Sequence, residues 1–192
     1  MRRWIVSTTI KEVLAIIKKA ADIGIAGFNL EDAALAQGTP QLADVSFQRE
    51  KIAAIREYLL AENLPLVLNA RTDVFILGQE PPEQCLQQAI QRANAYREAG
   101  ADCLFFPGVS ESSLIKTLVE EVHGPINILA TTTTPPVADL QRLGVTRVSL
   151  GSGPMRASLA LTRRIAQEVC ERGTYTTFTR DAFSYTELLQ LF

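Results

Sequence analysis

Amphipathic segments alternate with short apolar runs along most of the chain. The runs are too short for helices and lack a strict alternation, which is typical of parallel strands covered on both faces. They cover residues 25–30, 66–69, 103–106, 126–129 and 147–150. Apolar residues at helical spacing predict helices from residue 9 to Gly24 and over 47–62, 82–99, 111–122, 137–142, 154–172 and 185–191.

The order of these segments predicts a parallel α/β sheet of about five strands. Helix stops precede the predicted strands, and they are Gly24, Asn63, Gly100, Gly124 and Gly144. With 192 residues, the chain fits one domain. We expect a single α/β domain over 1–192, with an unplaced segment at 1–8, βα units over 9–173, and a tail with a short helix over 174–192.

Composition excludes several classes of function. Hydrophobic residues make up 47% of the chain, charged residues 21%, and the net charge is -2. Because no basic run occurs, we expect no nucleic-acid partner. No apolar run approaches the roughly 18 residues of a membrane span, so no membrane partner is expected. Cys85, Cys103 and Cys170 show neither metal-site nor disulfide spacing, which predicts buried thiols and a cytoplasmic location.

The second predicted strand ends in an abrupt change of polarity. Its apolar residues pass directly into Asn69, Arg71, Thr72 and Asp73. Charge at the edge of a core costs free energy unless it is paired or meets a ligand. The carboxyl ends of parallel strands are also where ligands bind in α/β folds. This segment therefore predicts a small-molecule site, with an anion as the favoured ligand.

Other strand ends add oxygen ligands to this predicted site. Glu31 and Asp32 follow the first strand and suit Mg²⁺, directly or through water. Arg71 offers a planar fork for a carboxylate or phosphate. A metal with an arginine would bind an oxyacid and stabilise an enolate-like charge. Two structural alternatives stay open: Glu31 could cap the following loop, and Asp73 could simply pair with Arg71.

Three further features carry alternatives. Gly151, Ser152 and Gly153 lie between a strand and a helix, where backbone amides could hold an anion or form only a tight turn. The threonines at 131–134 favour a plain connector over a substrate contact. His123 is the only histidine, and its place at a helix end favours a structural role. Catalysis by a Ser-His-Asp or Cys-His arrangement is therefore not expected.

Five motifs at the strand ends occur in the order found in a known superfamily. They are Gly-Phe-Asn-Leu-Glu-Asp at 27–32, Asn-Ala-Arg-Thr-Asp at 69–73, Ala-Gly-Ala-Asp with Phe-Pro-Gly at 99–108, Pro-Ile-Asn-Ile-Leu-Ala at 125–130 and Arg-Val-Ser-Leu-Gly-Ser-Gly at 147–153. In these motifs the chain resembles the isocitrate lyase and phosphoenolpyruvate mutase superfamily. The resemblance is to its short-chain, phosphonomutase-like and methylisocitrate-lyase-like branch.

The resemblance implies a (βα)8 barrel that breaks or rearranges C–C or P–C bonds in a small α-oxyacid. Phosphonopyruvate, oxaloacetate and methylisocitrate-type acids are the expected substrates, with Mg²⁺ and an enolate-type intermediate. By this match Glu31 is a metal-site carboxylate acting largely through water, and Arg71 holds the carboxylate or phosphoryl group. Further substrate contacts are predicted at Asn69, Asn127, Ser149 and Gly151, and Asp32 is a second predicted metal ligand. The resemblance also implies a homo-oligomer that exchanges the helix near 154–172.

Two departures from the superfamily pattern refine this expectation. An Asp-x-Asp-x-Gly-Tyr-Gly motif is absent, so the first three βα units have no counterpart in the alignment. Residues 33–40 replace the Lys-x-Cys-Gly-His segment of the lyases, which argues against isocitrate cleavage. Since five strands cannot close an eight-stranded barrel, we expect a partial (βα)8-type barrel. It would be open, or completed by the N-terminal segment, the tail or a partner subunit. The alternative function is a catalytically silent barrel fragment or binding subunit.

Overall fold

Five parallel strands form the central sheet of the protein. The computed structural model describes residues 9–36, 39–180 and 182–191. Its strands are β1 (Gly27–Glu31), β2 (Ala33–Ala36), β3 (Thr39–Leu42), β4 (Val67–Arg71), β5 (Cys103–Phe106), β6 (Ile126–Leu129) and β7 (Arg147–Ser149). The sheet order is β1-β4-β5-β6-β7, and every pair is parallel. The predicted five-stranded parallel sheet is therefore confirmed.

The helices occur in the order that the sequence predicts, except that two short ones, Val74–Leu77 and Thr176–Thr179, were not predicted. They are α1 (Ile10–Asp22), α2 (Val45–Ala61), α3 (Val74–Leu77), α4 (Pro82–Glu98), α5 (Ser112–Glu121), α6 (Val137–Leu143), α7 (Gly153–Arg172), α8 (Thr176–Thr179) and α9 (Tyr185–Leu189). Asn63 adopts the left-handed conformation after α2, with φ of +52°. Within the described part of the chain, no helix combines the length and apolar character that a membrane crossing requires.

A β-hairpin replaces the loop expected after β1. Strands β2 and β3 pair antiparallel, and the turn between them lies outside the described residues. The Ala43 amide donates to the Asp32 carbonyl at 2.8 Å, which closes the base of the hairpin. Repeated alanines and the proline at position 40 gave no alternating pattern, so the sequence did not predict these strands.

The two faces of the sheet have different surroundings. Leu68, Leu104, Phe106 and Ile128 are at most 1% exposed and belong to one core cluster with the helices. Each such burial stabilises the fold by about 1.5–3 kcal/mol. Phe105 is also buried but lies outside that cluster, on the opposite face of the sheet. Because side chains alternate along a strand, this inner face also carries the odd-numbered residues of β4.

The sheet is a partial barrel of the (βα)8 type, as the sequence predicts. Strands β1 and β7 are its two edges, and each is paired on one side only within the described residues. Gly27 allows β1 to approach β4 closely, because a Cβ atom there would lie 2.5 Å from the Val67 carbonyl oxygen. Residues 1–8, one of the segments expected to cover an open edge, lie outside the described residues. What covers these edges stays a prediction.

The chain forms two compact units, residues 1–149 and 150–192. The expectation of one domain stays a prediction. The second unit contains α7, α8 and α9, and α7 exposes Met155, Leu159 and Val169. Cys85 and Cys103 are buried as predicted, but Cys170 is exposed because it lies on α7, most of which is exposed. Exchange of the helix near 154–172 between subunits also stays a prediction.

Glu168 caps the start of α8 within the second unit. Its carboxylate accepts from the Thr176 amide and the Thr177 amide, both at 2.8 Å, and from the Thr174 hydroxyl at 2.7 Å. Hydrogen bonds from Thr176, then from Thr177 and Thr174, hold the pKa of Glu168 well below its usual value of 4.5. The carboxylate therefore stabilises this turn in its ionised form.

The Glu168 cap is expected to fail in acid. A carboxyl whose pKa is lowered on folding contributes stability above its ordinary pKa and loses it as the pH falls toward the folded value. We expect the Thr176 and Thr177 amides to be protected from exchange at neutral pH, and their protection relative to the intrinsic exchange rate at each pH to fall progressively below pH 4.5. In Glu168→Gln these two amides should exchange fast at neutral pH, because the amide nitrogen of the glutamine cannot accept a hydrogen bond from Thr177. Equally fast exchange in the α7 control Glu171→Gln, measured by NMR, would contradict this assignment.

Candidate functional site

An arginine at the carboxyl end of β4 lies between two carboxylates. Glu31 and Arg71 are paired in the β1–β4 register. Arg71 Nη1 donates to Glu31 Oε1 at 2.7 Å, and Arg71 Nε donates to Asp73 Oδ1 at 2.7 Å. The side chains of Glu31, Arg71 and Asp73 are 28%, 17% and 2% exposed. The guanidinium is therefore held in one orientation and largely shielded from water.

One nitrogen of this guanidinium remains for a ligand. No acceptor among the described residues contacts Arg71 Nη2, whereas Nε and Nη1 are both engaged. The ring of Phe105 lies below the guanidinium, with its centroid 5.8 Å from Cζ. A guanidinium whose other nitrogens are fixed loses little freedom on binding, so it suits an incoming carboxylate or phosphoryl oxygen.

Burial favours the protonated forms of Glu31 and Asp73. Desolvation raises the pKa of Glu31; the Arg71 charge opposes this rise, and the Asp73 and Asp32 charges add to it. Desolvation also raises the pKa of Asp73, against the hydrogen bond from Arg71. Both groups are therefore harder to ionise than free carboxylates, because the water that would stabilise their charge is excluded. A third carboxylate close to them, that of Asp32, has a different environment.

Asp32 is completely buried, with 0% of its surface exposed. Its Oδ1 accepts from the Asp73 amide at 2.9 Å. Its Oδ2 accepts from the Thr72 hydroxyl at 2.8 Å, the Tyr96 hydroxyl at 2.9 Å and Arg92 Nη1 at 3.2 Å. These four donors argue against Asp32 as a metal ligand, because a cation would have to displace them. The sequence-based assignment of Asp32 to the metal remains only a prediction.

Lys51 adds a cation beside this cluster. Its ammonium donates to Gln48 Oε1 at 3.1 Å, and Gln48 Nε2 donates to the Glu31 carbonyl at 3.1 Å. Burial lowers the pKa of Lys51, and the negative charge of Asp32 opposes that shift. The strand end thus contains three carboxylates and three cationic side chains, which are Glu31, Asp32, Asp73, Lys51, Arg71 and Arg92.

Three of the four remaining predicted site residues take part in two separate polar pairs. Asn69 Nδ2 donates to Asn29 Oδ1 at 2.7 Å, and Asn127 Nδ2 donates to Ser149 Oγ at 2.9 Å. Asn69 Oδ1 is buried and has no donor among the described residues. The structure shows no hydrogen bond from either described pair to Arg71. Gly151 lies in the second unit and is described with it.

Gly151 adopts a left-handed turn just before α7, with φ of +55°. This is the geometry of the tight-turn alternative. The anion-binding alternative at these glycines stays a prediction.

Two residues of α4 that the sequence analysis missed contact the site through Asp32. Arg92 and Tyr96 lie one helical turn apart, are 6% and 0% exposed, and both contact Asp32. A buried arginine on a helix is uncommon because its charge needs a partner. The sequence signal was therefore an arginine on the apolar side of the helix at 82–98, but the sequence did not indicate its partner.

The described residues do not form a Mg²⁺ site on their own. Asp32 is fully engaged, and Glu31 Oε1 is paired with Arg71. Across residues 9–36, 39–180 and 182–191, no three His, Cys, Asp or Glu side chains come together as a possible metal-binding group. No chemical step is therefore assigned to a metal.

Known proteins match this chain in sequence and in fold. A profile of the phosphoenolpyruvate phosphomutase family matches residues 6–170. An uncharacterized protein of Mycobacterium tuberculosis is 33% identical over 157 residues, which are 82% of this chain and 56% of that protein. Phosphoenolpyruvate phosphomutase of Streptomyces hygroscopicus is 32% identical over 169 residues, covering 82% of this chain and 51% of that enzyme.

Solved structures extend the match to nearly the whole chain. A lyase/mutase structure from Burkholderia cenocepacia superposes with a TM-score of 0.84 and 29% identity, over 96% of this chain and 66% of that one. Phosphonopyruvate hydrolase, solved with oxalate and Mg²⁺, has the same fold, with a TM-score of 0.76 and 23% identity over 95% of this chain and 64% of that one. The chain spans about half the length of the curated relatives it matches.

The profile match covers most of the chain, and the matched strand ends include the Glu31–Arg71 pair. The resemblance inferred from the five motifs is thus confirmed. The chain belongs to the phosphoenolpyruvate mutase and isocitrate lyase superfamily of C–C and P–C bond lyases and mutases.

Proposed function

We propose that this chain carries the oxyacid-binding edge of a C–C or P–C bond lyase or mutase. The observation that carries the proposal is the orientation of Arg71, which two carboxylates fix while Nη2 remains without a partner among the described residues. Arg71 binds the carboxylate or phosphoryl oxygen of a small α-oxyacid. Glu31 and Asp73 keep the guanidinium aimed at it.

The rest of the inner face supplies weaker polar contacts in this proposal. Asn69 offers a buried carbonyl oxygen without a described donor, which suits a hydroxyl or a water molecule. Asn127 and Ser149 form a second polar pair at the ends of β6 and β7. The described residues do not fit Mg²⁺ on their own, so oxalate binding should be compared with and without the ion. The substrates proposed for turnover are phosphonopyruvate, oxaloacetate and methylisocitrate-type acids.

Oxalate is the probe of choice, since it is a small dicarboxylate that the phosphonopyruvate hydrolase of the same fold binds. We expect oxalate to raise the melting temperature of the wild-type chain and to bind in a calorimetric titration, with and without Mg²⁺ compared. Arg71→Lys keeps the charge but loses the planar fork. Its affinity should fall about 10- to 100-fold, the loss expected for a hydrogen bond to a charged group.

Arg56→Lys is the matched control for this experiment. Arg56 is also a paired arginine, with Nη2 2.5 Å from Asp102 Oδ2, but Asp102 precedes β5 and lies at the amino edge of the sheet. The control should bind oxalate like the wild type. Wild-type protein that does not respond to oxalate, or an Arg71→Lys variant that binds with unchanged affinity, would overturn the proposal.

A second candidate function is an oxyacid-binding subunit without turnover. The specific observation in its favour is the complete engagement of Asp32 by four protein donors. The two functions differ in one measurement. Purified chain that binds oxalate but does not convert phosphonopyruvate, oxaloacetate or a methylisocitrate-type acid is a binding subunit, whereas turnover of any of these excludes that role.

A further inference from the structure

Residues at the end of β1 form a series of hydrogen bonds with residues at the end of β4. Glu31 pairs with the Arg71 guanidinium, and the Asp32 amide donates to the Arg71 carbonyl at 3.0 Å. The Asp32 carboxylate then accepts from the Thr72 hydroxyl and from the Asp73 amide. Glu31 and Asp32 thus hold Arg71, Thr72 and Asp73 in place by four hydrogen bonds. The orientation of Arg71 depends on this arrangement because Asp73, which holds Nε, is itself held by Asp32.

Helix α4 fixes Asp32 from the other side. Arg92 and Tyr96 both contact Asp32 Oδ2, and Arg92 Nη1 contacts the Tyr96 hydroxyl at 3.1 Å. Arg92 Nη1 also donates to the Ala43 carbonyl at 2.9 Å, at the base of the β2–β3 hairpin. Neither helix residue contacts Arg71. The hydrogen bonds of Asp32 with Arg92, Tyr96 and the Asp73 amide are buried, whereas those of Arg92 with Ala43 and of Arg71 with Asp73 are partly buried. Interactions in a buried environment are strong and directional because water does not compete.

We infer that Asp32, Arg92 and Tyr96 are positioning residues that aim Arg71 at its oxyacid, an inference that rests on the proposed function. The Tyr96 hydroxyl and the Arg92 guanidinium set the place of the Asp32 carboxylate. Asp32 sets the backbone of Asp73, and the Asp73 carboxylate sets Arg71 Nε. Weakening the contacts of Tyr96 or Arg92 with Asp32 should therefore reduce oxyacid affinity without removing any group that touches the ligand.

Tyr96→Phe is the test variant, because it removes one hydroxyl and keeps the buried ring. We expect the oxalate dissociation constant to rise about 3- to 10-fold, because Asp32 loses one of its four donors and the effect reaches Arg71 only through Asp73. Tyr58→Phe on α2 is the matched control, since the Tyr58 hydroxyl has no hydrogen bond in the described structure. This variant should bind oxalate like the wild type.

A double variant separates positioning from general loosening. In the Arg71→Lys background, Tyr96→Phe should cause no further loss of oxalate affinity, because the fork that it positions is gone. A purely structural role would weaken both backgrounds equally. Hydrogen exchange gives a readout that needs no ligand: the Asp73 amide, donor to Asp32 Oδ1, should exchange faster in Tyr96→Phe than in Tyr58→Phe.

The possible results separate the two proposals. If the wild type binds oxalate and Tyr96→Phe binds it equally well, the positioning inference is overturned and the proposed function stands. If the wild type binds no oxalate, the proposed function fails, and so does the assignment of an oxyacid to this network. The Asp73 exchange rate then decides whether Tyr96 holds the strand end at all. Weaker binding together with faster exchange supports the inference.

Discussion

Replacing Arg92 by methionine is expected to destabilise the protein by about 3–5 kcal/mol, the usual cost of removing one partner of a buried ion pair. Methionine fills a similar volume but leaves the Asp32 carboxylate, which is 0% exposed, without the arginine that it is paired with. The Ala43 carbonyl also loses its donor. The free energy of unfolding, measured in urea at neutral pH, gives the size of this loss.

Arg56→Met is the matched control for Arg92→Met. The Arg56–Asp102 pair has side chains that are 25% and 39% exposed, so water can replace the lost partner. We expect a loss of about 1 kcal/mol or less for this more exposed pair. Adding Asp32→Asn to Arg92→Met should recover part of the stability, because the buried charge is then gone. Equal losses for Arg92→Met and Arg56→Met would show that burial of the pair does not matter.

The sequence predicted the central sheet because its strands combine short apolar runs with clear helix stops. The runs at 103–106 and 126–129 match β5 and β6 residue for residue. The edge strand β1 was less sharply placed, since Asn29 and Glu31 interrupt its apolar pattern. The β2–β3 hairpin was missed because its strands lack a strict alternation of apolar and polar residues, and because no Asn-Gly or Asp-Gly pair lies between them.

The sequence predicted only part of the candidate site. Glu31 and Arg71 were predicted together, since both follow buried strands and parallel strands end at one edge of the sheet. Arg92 was missed because its contact with Asp32 spans 60 residues and depends on how α4 packs against the sheet. The sequence shows which strand ends are polar. It does not show that the Asp32 carboxylate points into the core whereas that of Glu31 faces Arg71.

Phe105→Ala and Phe106→Ala are each expected to lower the free energy of unfolding by about 3–5 kcal/mol. The two rings are adjacent in β5 and are 3% and 0% exposed, so each leaves a large cavity when truncated. They lie on opposite faces of the sheet, however, and only Phe105 lies below the Arg71 guanidinium. Urea unfolding of the two variants should therefore give similar losses, although their consequences for the site differ.

Leucine at either position preserves more of the apolar packing than alanine does. The leucine variants therefore allow the effect on oxalate binding to be measured with a smaller loss of stability. Phe105→Leu removes the aromatic face below Arg71, an interaction worth about 0.5–2 kcal/mol, so oxalate affinity should fall about 2- to 30-fold. Phe106→Leu should bind oxalate like the wild type, because its ring packs against the helices. Equal weakening in both variants would mean that β5 affects the site only through general stability. A loss confined to Phe105→Leu would instead make the inner face of the sheet, together with Glu31 and Asp73, part of what orients Arg71.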